Sequence, residues 1–113
     1  MGRASLETVK NSKISVDDLA ALGPEIVLVD VREPAEWAGG HLAHAVHIPL
    51  STVPDRIEEF DGSPTYVICR SGGRSDRACA FAAAQGRAVV NVVGGMMAWE
   101  QAGLNMDPGA NGE

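Results

Sequence analysis

Residues 69 to 75 read Cys-Arg-Ser-Gly-Gly-Arg-Ser. A thiol, two guanidinium groups, two glycines and two hydroxyls within seven positions form a set that suits thiolate chemistry. A cysteine attacks as the thiolate, and its free pKa is about 8.5. Backbone N–H groups at a helix N-terminus lower that value by stabilising the anion. Gly72 and Gly73 permit the unusual backbone angles that turn several N–H groups toward one point. Arg70 and Arg74 add positive charge. A lone cysteine after a strand is ordinarily a buried small hydrophobe. A plain turn, however, needs no cations on both sides of a thiol, so Cys69 reads as a nucleophile facing an anionic substrate. Cys79 reads the other way: it sits between Ala78 and Ala80 in an alanine-rich run and is expected to be buried and structural. A resolving disulfide with Cys69 would need a close approach that spacing alone does not establish.

The flanking sequence says how such a loop is held. Tyr66-Val67-Ile68 has strand character, and Ser75 to Gln85 has the composition of a helix ended by Gly86. Cys69 is therefore expected where a strand ends and a helix begins. Elsewhere a short strand is expected around Ile14, then a helix over Val16 to Leu22, N-capped by Ser15 and stopped by Gly23-Pro24. Ile26 to Val29 is a continuous apolar run, as in a strand buried on both faces. Pro34 opens a helical segment that Gly39-Gly40 ends. Strands follow at Ala45 to Ile48 and Ala88 to Val93, and helices at Val53 to Phe60 and Met96 to Ala102. This alternation predicts an α/β domain with a mainly parallel sheet. In such sheets ligands bind beyond the carboxyl ends of the strands, where Cys69 falls.

Composition narrows the partners. The 113-residue chain reads as one domain over residues 12 to 104, with flexible ends at 1 to 11 and 105 to 113. Its net charge of −6 disfavours nucleic acid and anionic membranes. No apolar run approaches a membrane span, and the first residues lack the apolar core of a secretory signal. Two cysteines fit a reducing, cytoplasmic setting and are too few for a structural zinc site. His41, His44 and His47 read as loop and strand-edge side chains, because no carboxylate or cysteine joins them at ligand spacing. No metal and no cofactor is expected. Against the acidic whole, Asp76 is the only acid between Asp61 and Glu100, so the Cys69 face is expected to be locally cationic.

Cys69 to Ser75 resembles the active-site loop of the single-domain rhodanese sulfurtransferases. The resemblance extends to Val29-Asp30-Val31-Arg32-Glu33-Pro34-Ala35-Glu36-Trp37, to the segment from Gly40 to Leu50, and to Gly94-Gly95-Met96-Met97-Ala98-Trp99 with the following Ala102-Gly103-Leu104. His44 stands where that family commonly has glycine, and His47 replaces a more frequent asparagine. The resemblance implies a central, mainly parallel sheet of about five strands flanked by helices. It implies that Cys69 takes a sulfane sulfur as a persulfide from thiosulfate or a similar anionic donor. The acceptor would be a thiol, that of a thioredoxin-like protein included, or cyanide. It also implies that the backbone of Arg70, Ser71, Gly72, Gly73, Arg74 and Ser75 cradles the sulfur, with Arg70 and Arg74 drawing in the donor. The Ser71 and Ser75 hydroxyls would then donate to the thiolate. Asp30 and Arg32 are expected to pair as structural support, and Trp37 and Trp99 to pack.

Loop length separates the rivals. Cysteine phosphatases use C-x5-R, whereas Arg74 makes C-x4-R and Ser75 holds the next position. The smaller ring suits a sulfur atom better than phosphate or arsenate, which places sulfur transfer above phosphatase or arsenate reductase activity. Rhodanese-like domains also occur as inactive regulatory modules, usually without the cysteine; the complete loop here argues against that. A sulfur relay between two proteins stays open at this level, as does the oligomeric state.

Overall fold

A computed structural model describes residues 11–106 of the chain. Five strands, β1 (Asn11–Ile14), β2 (Val27–Asp30), β3 (Ala45–His47), β4 (Thr65–Ile68) and β5 (Val89–Val92), form one sheet in the order β1-β5-β4-β2-β3. Every neighbouring pair is parallel. The helices are α1 (Val16–Leu22), α2 (Pro34–Ala38), α3 (Gly73–Ala84) and α4 (Gly95–Gln101). This is the α/β architecture with a parallel sheet that the sequence pattern predicts, and its five strands match the number the resemblance implies.

Strand periodicity sorts the core into two layers. On one face Val29, Val67, Cys69 and Val89 pack with Ala78, Cys79 and Ala82 of α3 and with Val53 and Phe60. On the other, Leu28, Ile68 and Val92 pack with Val16 and Leu19 of α1 and Met96 and Trp99 of α4. Successive residues of a strand point to opposite faces, so a sheet covered on both sides needs nearly continuous apolar strands. Val89-Val90-Asn91-Val92 is buried throughout and includes one amide among its valines.

The topology places the site. After β2 the chain runs outward to the edge strand β3; after β4 it runs the other way, to β5. Loops leaving β2 and β4 thus diverge, and a crevice opens beyond their carboxyl ends. The loop after β4 begins with Cys69.

Local signals account for most boundaries. The Ser15 side chain accepts from Asp18 N–H at 3.1 Å and caps α1. Glu33 and Glu36 form a reciprocal capping box on α2, with Pro34 at its start. The segment expected as a helix over Val53 to Phe60 is instead a 3-10 run, Leu50–Glu59, broken at Arg56 (φ −125°, ψ 26°). Pro54 lies inside it and has no N–H to give an α-helical bond, so the tighter, kinked form results. Helix α3 starts at Gly73, two residues ahead of the expected Ser75, because Gly72 adopts a left-handed N-cap (φ 107°). The domain reaches beyond the expected limits: Asn11 is in β1, and Met106 packs on the α1/α4 layer. The rest of the two ends expected to be flexible, 1–10 and 107–113, lies outside the described residues.

Candidate active site

Cys69 follows β4 directly, and its side chain faces α3. The sulfur is fully buried. It accepts from Gly72 N–H at 3.0 Å and lies 3.3 Å from Ser75 Oγ. Ser75, in the first turn of α3, is also fully buried. Burial pushes the Cys69 thiol up, but the Ser75 hydroxyl and then the N–H groups of Ser75, Gly72 and Ser71 stabilise the anion more, and the net shift is downward. Of the loop backbone expected to cradle the sulfur, Arg70 to Ser75, the N–H groups that stabilise the anion are those of Ser75, Gly72 and Ser71. The floor of the loop is closed from behind by α4. Met96 N–H donates to Cys69 O at 2.8 Å and Met97 N–H to Arg70 O at 2.9 Å. Gly95 allows this approach, since a Cβ there would overlap the carbonyls of Cys69 and Arg70.

The two loop arginines differ. Arg70 is exposed and makes no ion pair among the described residues. Arg74 is half-buried and grips Glu36 of α2 in a two-pronged bridge, Nη1 to Oε1 at 2.7 Å and Nη2 to Oε2 at 2.9 Å. The Arg74 contact, ahead of a smaller opposing effect of burial, holds the Glu36 carboxyl down at about 2. Ser71 is exposed on the rim, and no hydrogen bond from its side chain to the sulfur is present.

Asp30 and Arg32 sit at the carboxyl end of β2. Asp30 is fully buried and accepts from Arg32 N–H at 2.9 Å and Nε at 3.0 Å. Arg32 Nη2 continues to Gly40 O at 2.8 Å. The pair pins the turn into α2, and hence the helix that presents Glu36. Trp37 lies parallel to the rings of His41 and His47, at centroid distances of 3.6 and 4.6 Å. Each imidazole also contacts a backbone carbonyl, His41 that of Trp37 and His47 that of Arg32. Among the described residues no three His, Cys, Asp or Glu side chains are grouped to hold a metal, and no helix is long and apolar enough to cross a membrane.

Cys69 thus stands at a parallel strand end, where burial pushes its thiol up and the Ser75 hydroxyl and converging N–H groups pull it down on balance. The rhodanese-like domain model matches residues 15–102, nearly the whole described sheet and its helices. The chain belongs to the rhodanese-like family. The protein YtwF of Bacillus subtilis (strain 168) is 49% identical over 77 residues, 67% of this chain and 75% of that protein. Thiosulfate sulfurtransferase GlpE of Pseudomonas entomophila is 37% identical over 90 residues, 77% of this chain and 83% of that protein. The crystal structure of a rhodanese-like domain protein from Staphylococcus aureus superposes with a TM-score of 0.76 at 34% identity, covering 85% of this chain and 98% of that one. These relatives place the rhodanese-like chain in a family of sulfurtransferases.

Two participants escaped the sequence reading. Glu36 neutralises Arg74, and its partner lies 38 residues away. Asn91 of β5 contacts Ser75 Oγ through Oδ1 and donates from Nδ2 to Gly72 O at 3.3 Å. The signal for Asn91 was there: a lone amide in a strand buried on both faces must find hydrogen-bond partners.

Proposed function

We propose that the protein is a sulfurtransferase that carries a sulfane sulfur as a persulfide on Cys69. The single observation that supports this best is the placement of the Cys69 sulfur at the end of β4, 3.0 Å from Gly72 N–H and 3.3 Å from the Ser75 hydroxyl, donors that stabilise a thiolate. With thiosulfate, the Cys69 thiolate attacks the outer sulfur. The bond from that sulfur to the sulfite group breaks, and sulfite leaves with the electron pair. The new persulfide carries its negative charge on the outer sulfur, within reach of the loop N–H groups. A thiolate or cyanide then attacks that sulfur, and Cys69 leaves as the thiolate. Arg70, exposed and without an ion pair among the described residues, would attract the anionic donor. Arg74 braces the loop through Glu36 and lends a partly neutralised charge. Because Cys69 is fully buried, the donor reaches it only as the loop rim yields.

Intact mass after incubation with thiosulfate tests the reading. The wild type is expected to gain one sulfur atom and to lose it again to cyanide. Gain of sulfur by Cys69→Ser would reassign the carrier and overturn the proposal.

A further inference from the structure

We propose that Asn91 is a positioning residue that sets the direction of the Ser75 hydroxyl, accepting its hydrogen bond while Cys69 Sγ is uncharged and yielding it when Sγ becomes a thiolate. The inference deepens the persulfide reading, and its test uses no sulfur donor, so the two can fail separately.

A serine hydroxyl has one hydrogen to donate. Ser75 Oγ has three acceptors in range: Gly72 O at 3.2 Å, Cys69 Sγ at 3.3 Å and, closest, Asn91 Oδ1. The amide orientation follows from its other end. Asn91 Nδ2 donates to Gly72 O at 3.3 Å, and a rotated amide would set two carbonyl oxygens against each other. Oδ1 therefore faces the hydroxyl and accepts. Asn91 is buried, pairs with Val67 in the sheet register, and points to the same face as Val67 and Cys69. With a neutral thiol the better acceptor is the amide oxygen. With a thiolate it is the sulfur, because a hydrogen bond to an ion is about twice as strong as a neutral one.

This arrangement follows the charge through the cycle. Sγ is anionic while it attacks the donor. Once sulfite has left, Sγ is bonded to the outer sulfur, which carries the charge, and the hydroxyl returns to Asn91. When an acceptor removes the outer sulfur, the electron pair comes back to Sγ, and the Ser75 O–H turns back to donate its hydrogen bond there. Asn91 thus competes with the thiolate for one hydrogen, which limits how far Ser75 lowers the thiol and keeps the loop responsive to charge.

The test is the pH dependence of Cys69 alkylation by iodoacetamide. Trypsin cuts after Arg70 and Arg77, so mass spectrometry reads Cys69 and Cys79 on separate peptides. Asn91→Leu and Asn91→Val remove the competing acceptor. They are expected to move the midpoint to lower pH and to speed alkylation below the plateau about threefold. Asn91→Asp, close in shape and a stronger acceptor, is expected to slow it about tenfold. In a Ser75→Ala background the acceleration by Leu and Val should vanish. A residue that only supports the loop predicts the opposite sign, since losing the Gly72 contact would loosen the Gly72 N–H and slow alkylation. Slowing in the Leu and Val variants, no change in any of the three, or equal acceleration without Ser75 would overturn the proposal.

Discussion

Cys69 and Cys79 share one core layer, are both fully buried and are both free thiols, yet their acidities are driven apart. Burial pushes the Cys79 thiol up to about 12, with smaller contributions from the charges of Asp76 and Cys69. Burial raises Cys69 too, but there the Ser75 hydroxyl and three backbone N–H groups overcome it. The desolvation penalty is common to both sites, so the available donors decide. Inside α3 the N–H groups around Cys79 belong to the helix ladder. At the head of α3 the first N–H groups have no partner within the helix, and Cys69 sits where they point. The same helix thus has an end that favours a thiolate and an interior that suppresses one.

The largest break in this contrast comes from Cys69→Ser, which is expected to abolish sulfur uptake from thiosulfate by intact mass, whereas Cys79→Ala keeps it. Next comes Ser75→Ala. Removing a hydroxyl donor to a charged sulfur is worth about 1.5–3 kcal/mol, so sulfur uptake at neutral pH should slow by about ten- to a hundredfold. The sign is fixed: a lowered thiol pKa gives more thiolate at a given pH, so the variant's alkylation midpoint must move up, toward that of an ordinary thiol. A midpoint left in place would mean that backbone N–H groups alone tune Cys69.

Smaller effects sharpen the comparison at the rim. Arg70→Ala is expected to weaken the dependence on thiosulfate about tenfold, more steeply at low salt. Arg74→Ala should cost only about threefold, because Glu36 already holds that charge; steady-state kinetics over donor concentration would show equal losses if both arginines bound the donor. Glu36→Gln is expected to remove about 1 kcal/mol of stability in urea unfolding near neutral pH. The Glu36 pKa is lowered on folding, so its contribution is present above the ordinary carboxylate range and fades as pH falls toward about 2. The smallest expected functional change is that of Cys79→Ala, with unchanged sulfur uptake and a stability loss of about 1 kcal/mol from lost packing.

Much of this was legible in the sequence because the signals were local. The Ser15 cap, Pro34 at the start of α2 and the Cys69 loop each depend on neighbours within a few residues. The alternation of apolar runs and helical stretches was sufficient for the parallel sheet. What was not legible is what the sheet brings together. Arg74 read as a donor-binding charge because its neighbours in sequence are glycine, serine and Asp76; that Glu36 would arrive from α2 depends on how the loops after β2 and β4 meet. Asn91 was read as part of a strand, and its partners belong to the β4–α3 loop. The 3-10 segment shows the opposite failure, where helical composition outweighed the local meaning of Pro54.

The stacking of Trp37 on two imidazoles has an optical consequence. The protein has two tryptophans. Trp99 is buried in the α1/α4 layer, while Trp37 is half-buried, lies against His41 and His47, and is adjacent in sequence to the carboxylate that grips Arg74. Their emission is therefore expected to separate in colour, the Trp99 band bluer and the Trp37 band redder. A displacement of α2 would change the redder band, giving an intrinsic, label-free readout of the helix that presents Glu36 to Arg74.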